Sequence, residues 1–250
     1  MGTDAIYGIC SVSYLVLARH GKVPAYDGDP EKVQGWRNDP GDHMAGTYLT
    51  KIGTDKQLAQ LDPKHIITSD LHRALVSALT ILRRVRADGE DATVEPSDKL
   101  RPWKMGEFEG HVRDRVEAQI VYYLSHPDAK IIDGESFDTF KQRWLPMFAR
   151  LNHVASMIDR PLIAITHSWN VKLADAWIKA GSPTDMTYDR ALMEAPAELE
   201  PGEWAIYSTD PKTGKVTRST KHGVSSKTSS TPGKPSSPAA NSTSPMIAAS

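Results

Sequence analysis

Three short apolar-centred runs constrain this chain more than any other feature: Tyr14-Leu15-Val16-Leu17-Ala18, His65-Ile66-Ile67-Thr68 and Pro161-Leu162-Ile163-Ala164-Ile165-Thr166. The first is continuously apolar, as a strand buried on both faces must be. Between them lie long amphipathic segments. Leu71, Leu75, Ala78, Leu82 and Val85 recur at three- and four-residue steps, which predicts a helix that Asp88-Gly89 stops. A second long helix is expected from about 135 to 158, with Phe137, Phe140, Trp144, Phe148, Leu151, Ala155 and Ile158 as its stripe and a kink or break at Pro146. Residues 111–124 and 169–180 read as shorter helices, and Glu203-Trp204-Ala205-Ile206-Tyr207 as a closing strand. Strands alternating with helices predict a three-layer α/β fold, a mostly parallel central sheet flanked by helices.

Composition sets the limits of that domain. The hydrophobic fraction over 250 residues is 39%, low for a fully packed chain, and the shortfall is at the C-terminus. Residues 219–250 hold ten Ser, four Thr, four Pro and three Lys, without an acid or a Phe, Trp or Tyr. Such a segment cannot bury enough apolar surface to offset its chain entropy, so one folded domain is expected over 1–218 and a disordered tail over 219–250. The formal net charge of −1 argues against nucleic-acid or anionic-lipid partners that need a whole-surface field. A single cysteine, Cys10, excludes a disulfide scaffold. No apolar run reaches membrane-spanning length, and the acidic start MGTDAIYG lacks a basic leader region, so a cytoplasmic protein is expected.

Chemistry-bearing residues follow the apolar runs. The first run leads into Arg19-His20-Gly21, the second into Ser69-Asp70-Leu71-His72-Arg73, and the third into His167-Ser168. Parallel strands would carry these residues to one sheet edge, outside the strand carboxyl ends where α/β folds bind ligands. Two guanidinium groups and two imidazoles in one pocket fit a phosphoryl group. The other seven histidines lack metal-ligand spacing, and Arg83-Arg84-Val85-Arg86 reads as a solvated helix face. Trp36 and Trp103 are either pocket walls or packing anchors, packing being the commoner use of large aromatics.

The ordered set resembles the histidine phosphatase superfamily, also called phosphoglycerate-mutase-like. Besides Arg19-His20-Gly21, Ser69 to Ala74 and Ile165-Thr166-His167, the matching segments are Gln34-Gly35-Trp36-Arg37-Asn38-Asp39-Pro40, Leu100 to Gly110 and Gly134-Glu135-Ser136-Phe137. Together they cover about residues 14–208. The resemblance implies a histidine acid phosphatase-type phosphomonoesterase acting on a small phosphorylated substrate without metal or other cofactor. His20 would be the nucleophile, Arg19 and Arg73 would bind the equatorial oxygens, and His167 would complete the phosphate pocket. Water would then hydrolyse the phosphoenzyme.

This chain departs from the family pattern in three places. The glutamate that usually serves as general acid is replaced by Pro102; Lys22, Val23 and Tyr26 stand where Glu, Thr and Asn are frequent; and Ser168 stands where Gly is commoner. Glu107, Glu109 and Glu135 are the acids in matching segments. Glu107 ranks first because it follows Gly106 in the loop that normally carries the acid. Two rival functions remain: a phosphoglycerate-mutase-type phosphotransferase, and a non-catalytic phosphate-binding module. The short stretch between Gly110 and His167 leaves little room for the insertion that the resemblance associates with mutases.

Overall fold

A computed structural model describes residues 14–23, 32–89, 91–195, 199–210, 212–219 and 222. The elements run β1 (Leu15–Arg19), α1 (Met44–Ile52), α2 (Thr54–Ala59), β2 (His65–Ser69), α3 (His72–Ala87), β3 (Thr93–Ser97), α4 (Arg113–Ser125), α5 (Phe137–Met157), β4 (Leu162–Thr166), α6 (Ser168–Lys179), α7 (Arg190–Glu194), β5 (Trp204–Thr209) and β6 (Val216–Arg218). The sheet order is β3-β2-β4-β1-β5-β6. The β1–β4, β4–β2 and β2–β3 pairs are parallel; β5 runs antiparallel to β1, and β6 to β5.

Alternation along the central strands builds the three layers. Leu15 and Leu17 of β1, with Leu162 and Ala164 of β4, enter a core shared with α4, α5 and α6. Val16, Ala18, Ile163 and Ile165 point the other way, into a core shared with α1, α2 and α3. An uninterrupted apolar sequence is what a strand needs when both its faces are covered. β1 and β4 lie side by side at the sheet centre, so the loops after them, carrying His20 and His167, emerge together.

One expectation needs correction. The long helix does not break at Pro146: α5 is continuous from Phe137 to Met157. Pro146 and Gln142, whose carbonyl loses its helical donor, both lie on the exposed face, where water can take the vacant acceptor. The α3 stripe is buried as expected at Leu71, Ala78, Leu82 and Val85, joined by Ala74 and Ile81, and only Leu75 of the expected stripe is half-buried. β3, sequence TVEPS, has no apolar signature because it is an edge strand with little buried surface, where Pro96 costs no interior ladder bond.

Past β6, Ser219 and Ile206 exchange two hydrogen bonds, and the His222 ring stacks on Trp204. The rest of the segment expected to be a disordered tail lies outside the described residues, as do Cys10 and Tyr26. Among the described residues no helix is long and apolar enough to cross a membrane.

Candidate active site

The loop after β1 is held on every side. Its Arg19 N–H donates to the Glu203 carbonyl and its His20 N–H to that of Thr166, both at 3.0 Å. The Gly202 N–H is shared between the Arg19 and His20 carbonyls at 3.2 and 3.1 Å. The Gly21 N–H donates to Ser77 Oγ of α3 (3.1 Å), and that hydroxyl donates back to the Arg73 carbonyl (2.7 Å). A side chain at position 21 would put Cβ 2.1 Å from the Ala45 carbonyl oxygen, so glycine permits the contact between this loop and α1.

Within this frame His20 Nδ1 lies 2.8 Å from the Gly21 carbonyl. A carbonyl only accepts, so a neutral His20 donates from Nδ1 and leaves the Nε2 lone pair for chemistry. The His167 ring sits with its centroid 4.9 Å away, and neither of its buried ring nitrogens has a hydrogen-bond partner among the described residues. Arg19 Nη1 donates to the Leu199 carbonyl (3.0 Å). Arg73, 1% exposed, donates from Nη1 to the Arg37 carbonyl and from Nη2 to the Gly35 carbonyl, both at 2.7 Å. The fully buried Asp42 stands behind it, Oδ2 at 3.7 Å from Nη1. All four side chains line one cavity of about 530 Å³.

Electrostatics fix the protonation states. Burial, then the Arg73 and Arg19 charges, hold the His20 pKa well below its ordinary 6.5. Burial leads for His167 too, followed by Arg73, His20 and Arg19. Both rings are therefore neutral at neutral pH. An uncharged imidazole nitrogen between two guanidinium groups can attack an electrophile whose anionic oxygens the arginines hold.

The depressed values also make stability pH-dependent. Between 6.5 and the lower folded values the unfolded chain binds protons that the folded chain does not, so stability is lost as pH falls below about 6.5. Melts between about pH 7.5 and 5 should show a falling Tm, with a smaller fall in a His20→Asn/His167→Asn double variant. An equal fall in both proteins would place the titrating groups elsewhere.

A family model, the histidine phosphatase superfamily (branch 1), matches residues 15–191. The chain belongs to that superfamily. None of the curated proteins searched matches it. Solved structures do. A mycobacterial glucosyl-3-phosphoglycerate phosphatase with VO3 superimposes with TM-score 0.61 at 19% identity, covering 83% of this chain and 96% of its own. For the α-ribazole phosphatase from Shigella flexneri the TM-score is 0.56 at 22% identity, with 82% and 93% covered. YhfR of Bacillus stearothermophilus gives 0.60 at 22%, with 82% and 94% covered. These identities establish a shared fold.

The structure of this histidine phosphatase superfamily member brings Arg19, His20, Arg73 and His167 together, but not Glu107. Gly106, at φ +49°, turns the loop, and the Glu107 N–H donates to the Ile132 carbonyl (3.0 Å). That turn sends Phe108 into the core and leaves Glu107 exposed, away from the cavity lining. The other two acids are braces. Glu109 Oε1 accepts from the Trp36 and Met105 N–H groups (2.9 and 3.1 Å), and Glu135 Oε1 from the Lys104 N–H and Arg143 Nη2 (3.0 and 2.7 Å). Among the described residues the carboxylates lining the cavity are Glu117, Glu194 and Glu200, and no sequence motif marks them.

The aromatic residues are also reassigned. Trp36 and Trp103 are absent from the lining, with Nε1 donating to the Pro102 carbonyl (2.7 Å) and the Glu135 carbonyl (3.0 Å) respectively. Trp169 lines the cavity instead. Pro102 reaches the cavity on a segment stapled by Arg143, which donates to the carbonyls of Lys99, Arg101 and Pro102 at 2.8–3.1 Å. Arg101 forks onto Asp70 at 2.5–2.6 Å and covers the Trp36 ring at 4.6 Å. These contacts fix the loop without the family glutamate.

Proposed function

We propose that the protein is a phosphomonoester hydrolase that transfers the phosphoryl group of a small phosphorylated molecule to His20 and then to water. The observation that carries this reading is the His20 ring, neutral and held by Nδ1 on the Gly21 carbonyl, beside Arg19, Arg73 and His167 in one cavity. His20 Nε2 attacks phosphorus in line. The bond from phosphorus to the ester oxygen breaks, its electron pair leaves with that oxygen, and the oxygen takes up a proton. Water then attacks the phosphohistidine, the N–P bond breaks, and its electron pair returns to Nε2. Arg19 and Arg73 meet the charge on the equatorial oxygens, the task a metal ion performs in other phosphoryl-transfer sites.

The reading is of a histidine acid phosphatase-type phosphomonoesterase that needs no metal. Its relatives by fold include phosphatases named for glucosyl-3-phosphoglycerate and α-ribazole, both small molecules. The test is release of inorganic phosphate from p-nitrophenyl phosphate by the full chain, with and without EDTA. Turnover on the order of 1 s⁻¹ or faster, unchanged by EDTA, is expected. Phosphate binding without turnover would make the protein a binding module. Transfer to an alcohol acceptor with no free phosphate would make it a mutase.

A further inference from the structure

One polar side chain holds the His20 loop from outside the cavity. Ser77 of α3 is 0% exposed, one turn past Arg73, and neither it nor Gly21 is among the residues that line the cavity. Its hydroxyl lies 2.7 Å from the Arg73 carbonyl, the back-bond that serine commonly makes inside a helix. The same oxygen lies 3.1 Å from the buried Gly21 nitrogen. A carbonyl only accepts and an N–H only donates, so the polarity is forced: Gly21 N–H to the Ser77 hydroxyl, and that hydroxyl to the Arg73 carbonyl. Bonds aligned in this way polarise and strengthen one another.

The chain of bonds starts on the peptide that governs the His20 ring. That peptide, joining His20 to Gly21, is pinned at both poles. Its carbonyl accepts from the Gly202 N–H at 3.1 Å, and its N–H is on Ser77. The 2.8 Å bond from His20 Nδ1 to the Gly21 carbonyl closes over this same peptide. Glycine has the widest choice of backbone angles, so the direction of its carbonyl depends on how the preceding peptide is fastened. Without the Ser77 oxygen the Gly21 N–H becomes a buried donor lacking its acceptor, a cost relieved by turning that peptide. Turning it carries the Gly21 carbonyl away from Nδ1. The proton of a neutral imidazole follows the hydrogen bond that the ring makes, so the tautomer is then no longer fixed.

We propose that Ser77 is a positioning residue: by holding the Gly21 N–H it keeps the Gly21 carbonyl on His20 Nδ1 and reserves Nε2 for attack on phosphorus. The inference rests on the hydrolase reading above and adds to it a residue that does not meet the substrate.

The test uses three variants of the full chain. Ser77→Ala removes the acceptor, Ser77→Thr keeps it, and Ile81→Val loosens the buried face of the same helix without touching the loop. With p-nitrophenyl phosphate, Ser77→Ala should lose about 10–100-fold in kcat, the scale of a slightly misplaced reacting group. Its KM should stay within about threefold, because the arginines remain to bind the phosphoryl oxygens. Ser77→Thr should keep kcat within about threefold, and Ile81→Val should melt lower with kcat unchanged. Nitrogen-15 NMR of histidine-labelled protein at about pH 7.5 reads the tautomer, with the His20 signals assigned by their loss in His20→Asn. Wild type and Ser77→Thr should carry the His20 proton on Nδ1 alone, whereas Ser77→Ala should show the two nitrogens averaged. A Ser77→Ala variant with kcat within about threefold of wild type, or with the Nδ1–H tautomer alone, would overturn the proposal. So would a loss carried by KM alone, or an equal loss in Ser77→Thr, which would place the effect in packing. If Ser77→Ala does not fold, Ser77→Cys, whose sulfur is a weaker acceptor, takes its place with the same two readouts. If the wild type turns over no phosphomonoester, the hydrolase reading fails, and the NMR spectra alone decide whether Ser77 sets the His20 tautomer.

Discussion

His20→Ala is expected to lower kcat for p-nitrophenyl phosphate by roughly 10⁴–10⁶-fold while leaving the fold intact, the scale seen when a covalent nucleophile is removed. The loss should be mainly in kcat, because Arg19, Arg73 and His167 stay in place to bind phosphate. The loop around position 20 is held by main-chain bonds to Glu203, Thr166 and Gly202, none of which uses the imidazole. Steady-state kinetics and a thermal melt at about pH 7.5 check both halves. A variant that keeps a tenth of wild-type turnover would remove His20 from the chemistry.

The second large effect concerns Arg73, which has two tasks. It faces the cavity, and it carries the 35–37 loop on both η nitrogens while neutralising buried Asp42. Arg73→Ala should therefore cost about 10²–10³-fold in kcat, as loss of a transition-state donor does. It should also cost about 3–5 kcal/mol of stability, because Asp42 becomes a buried carboxylate without its counter-charge. Burial already pushes the Asp42 pKa upward against the pull of Arg73. The two losses can be separated: adding Asp42→Asn should recover much of the stability and none of the turnover. Recovery of turnover as well would mean that Arg73 acts through the fold and not on the substrate.

The parts of the fold that were legible in sequence are those governed by burial on two faces. β1 and β4 are apolar from Leu15 to Ala18 and from Leu162 to Ile165 because both sides of the sheet are covered there, and polar residues, Arg19 and Thr166, stand only at their carboxyl ends. Edge strand β3 carries Glu95 and Pro96 because little of it is covered, and its sequence is silent for the same reason. Helix α5 shows its stripe clearly, yet Pro146 promised a break that the exposed face makes unnecessary.

In the site, residues attached directly to strand ends were legible, since sheet topology alone brings Arg19, His20 and His167 together. Glu107 was not, because its direction depends on how Gly106 and the Ile132 carbonyl turn one loop. Asp42, Arg143 and Trp169 owe their positions to contacts between elements far apart in the chain. Each has an ordinary identity at an ordinary spacing, so nothing local distinguishes it.

The central claim is covalent transfer to one nitrogen of one histidine. Alkaline quenching during steady turnover, followed by mass spectrometry and phosphorus NMR of the recovered peptide, tests it most directly. The Gly21 carbonyl occupies Nδ1, so the phosphoryl group is expected on Nε2 of His20, in a linkage that survives base and is lost in acid. Phosphate on Nδ1 would contradict the assigned tautomer, and phosphate on any other residue would contradict the mechanism.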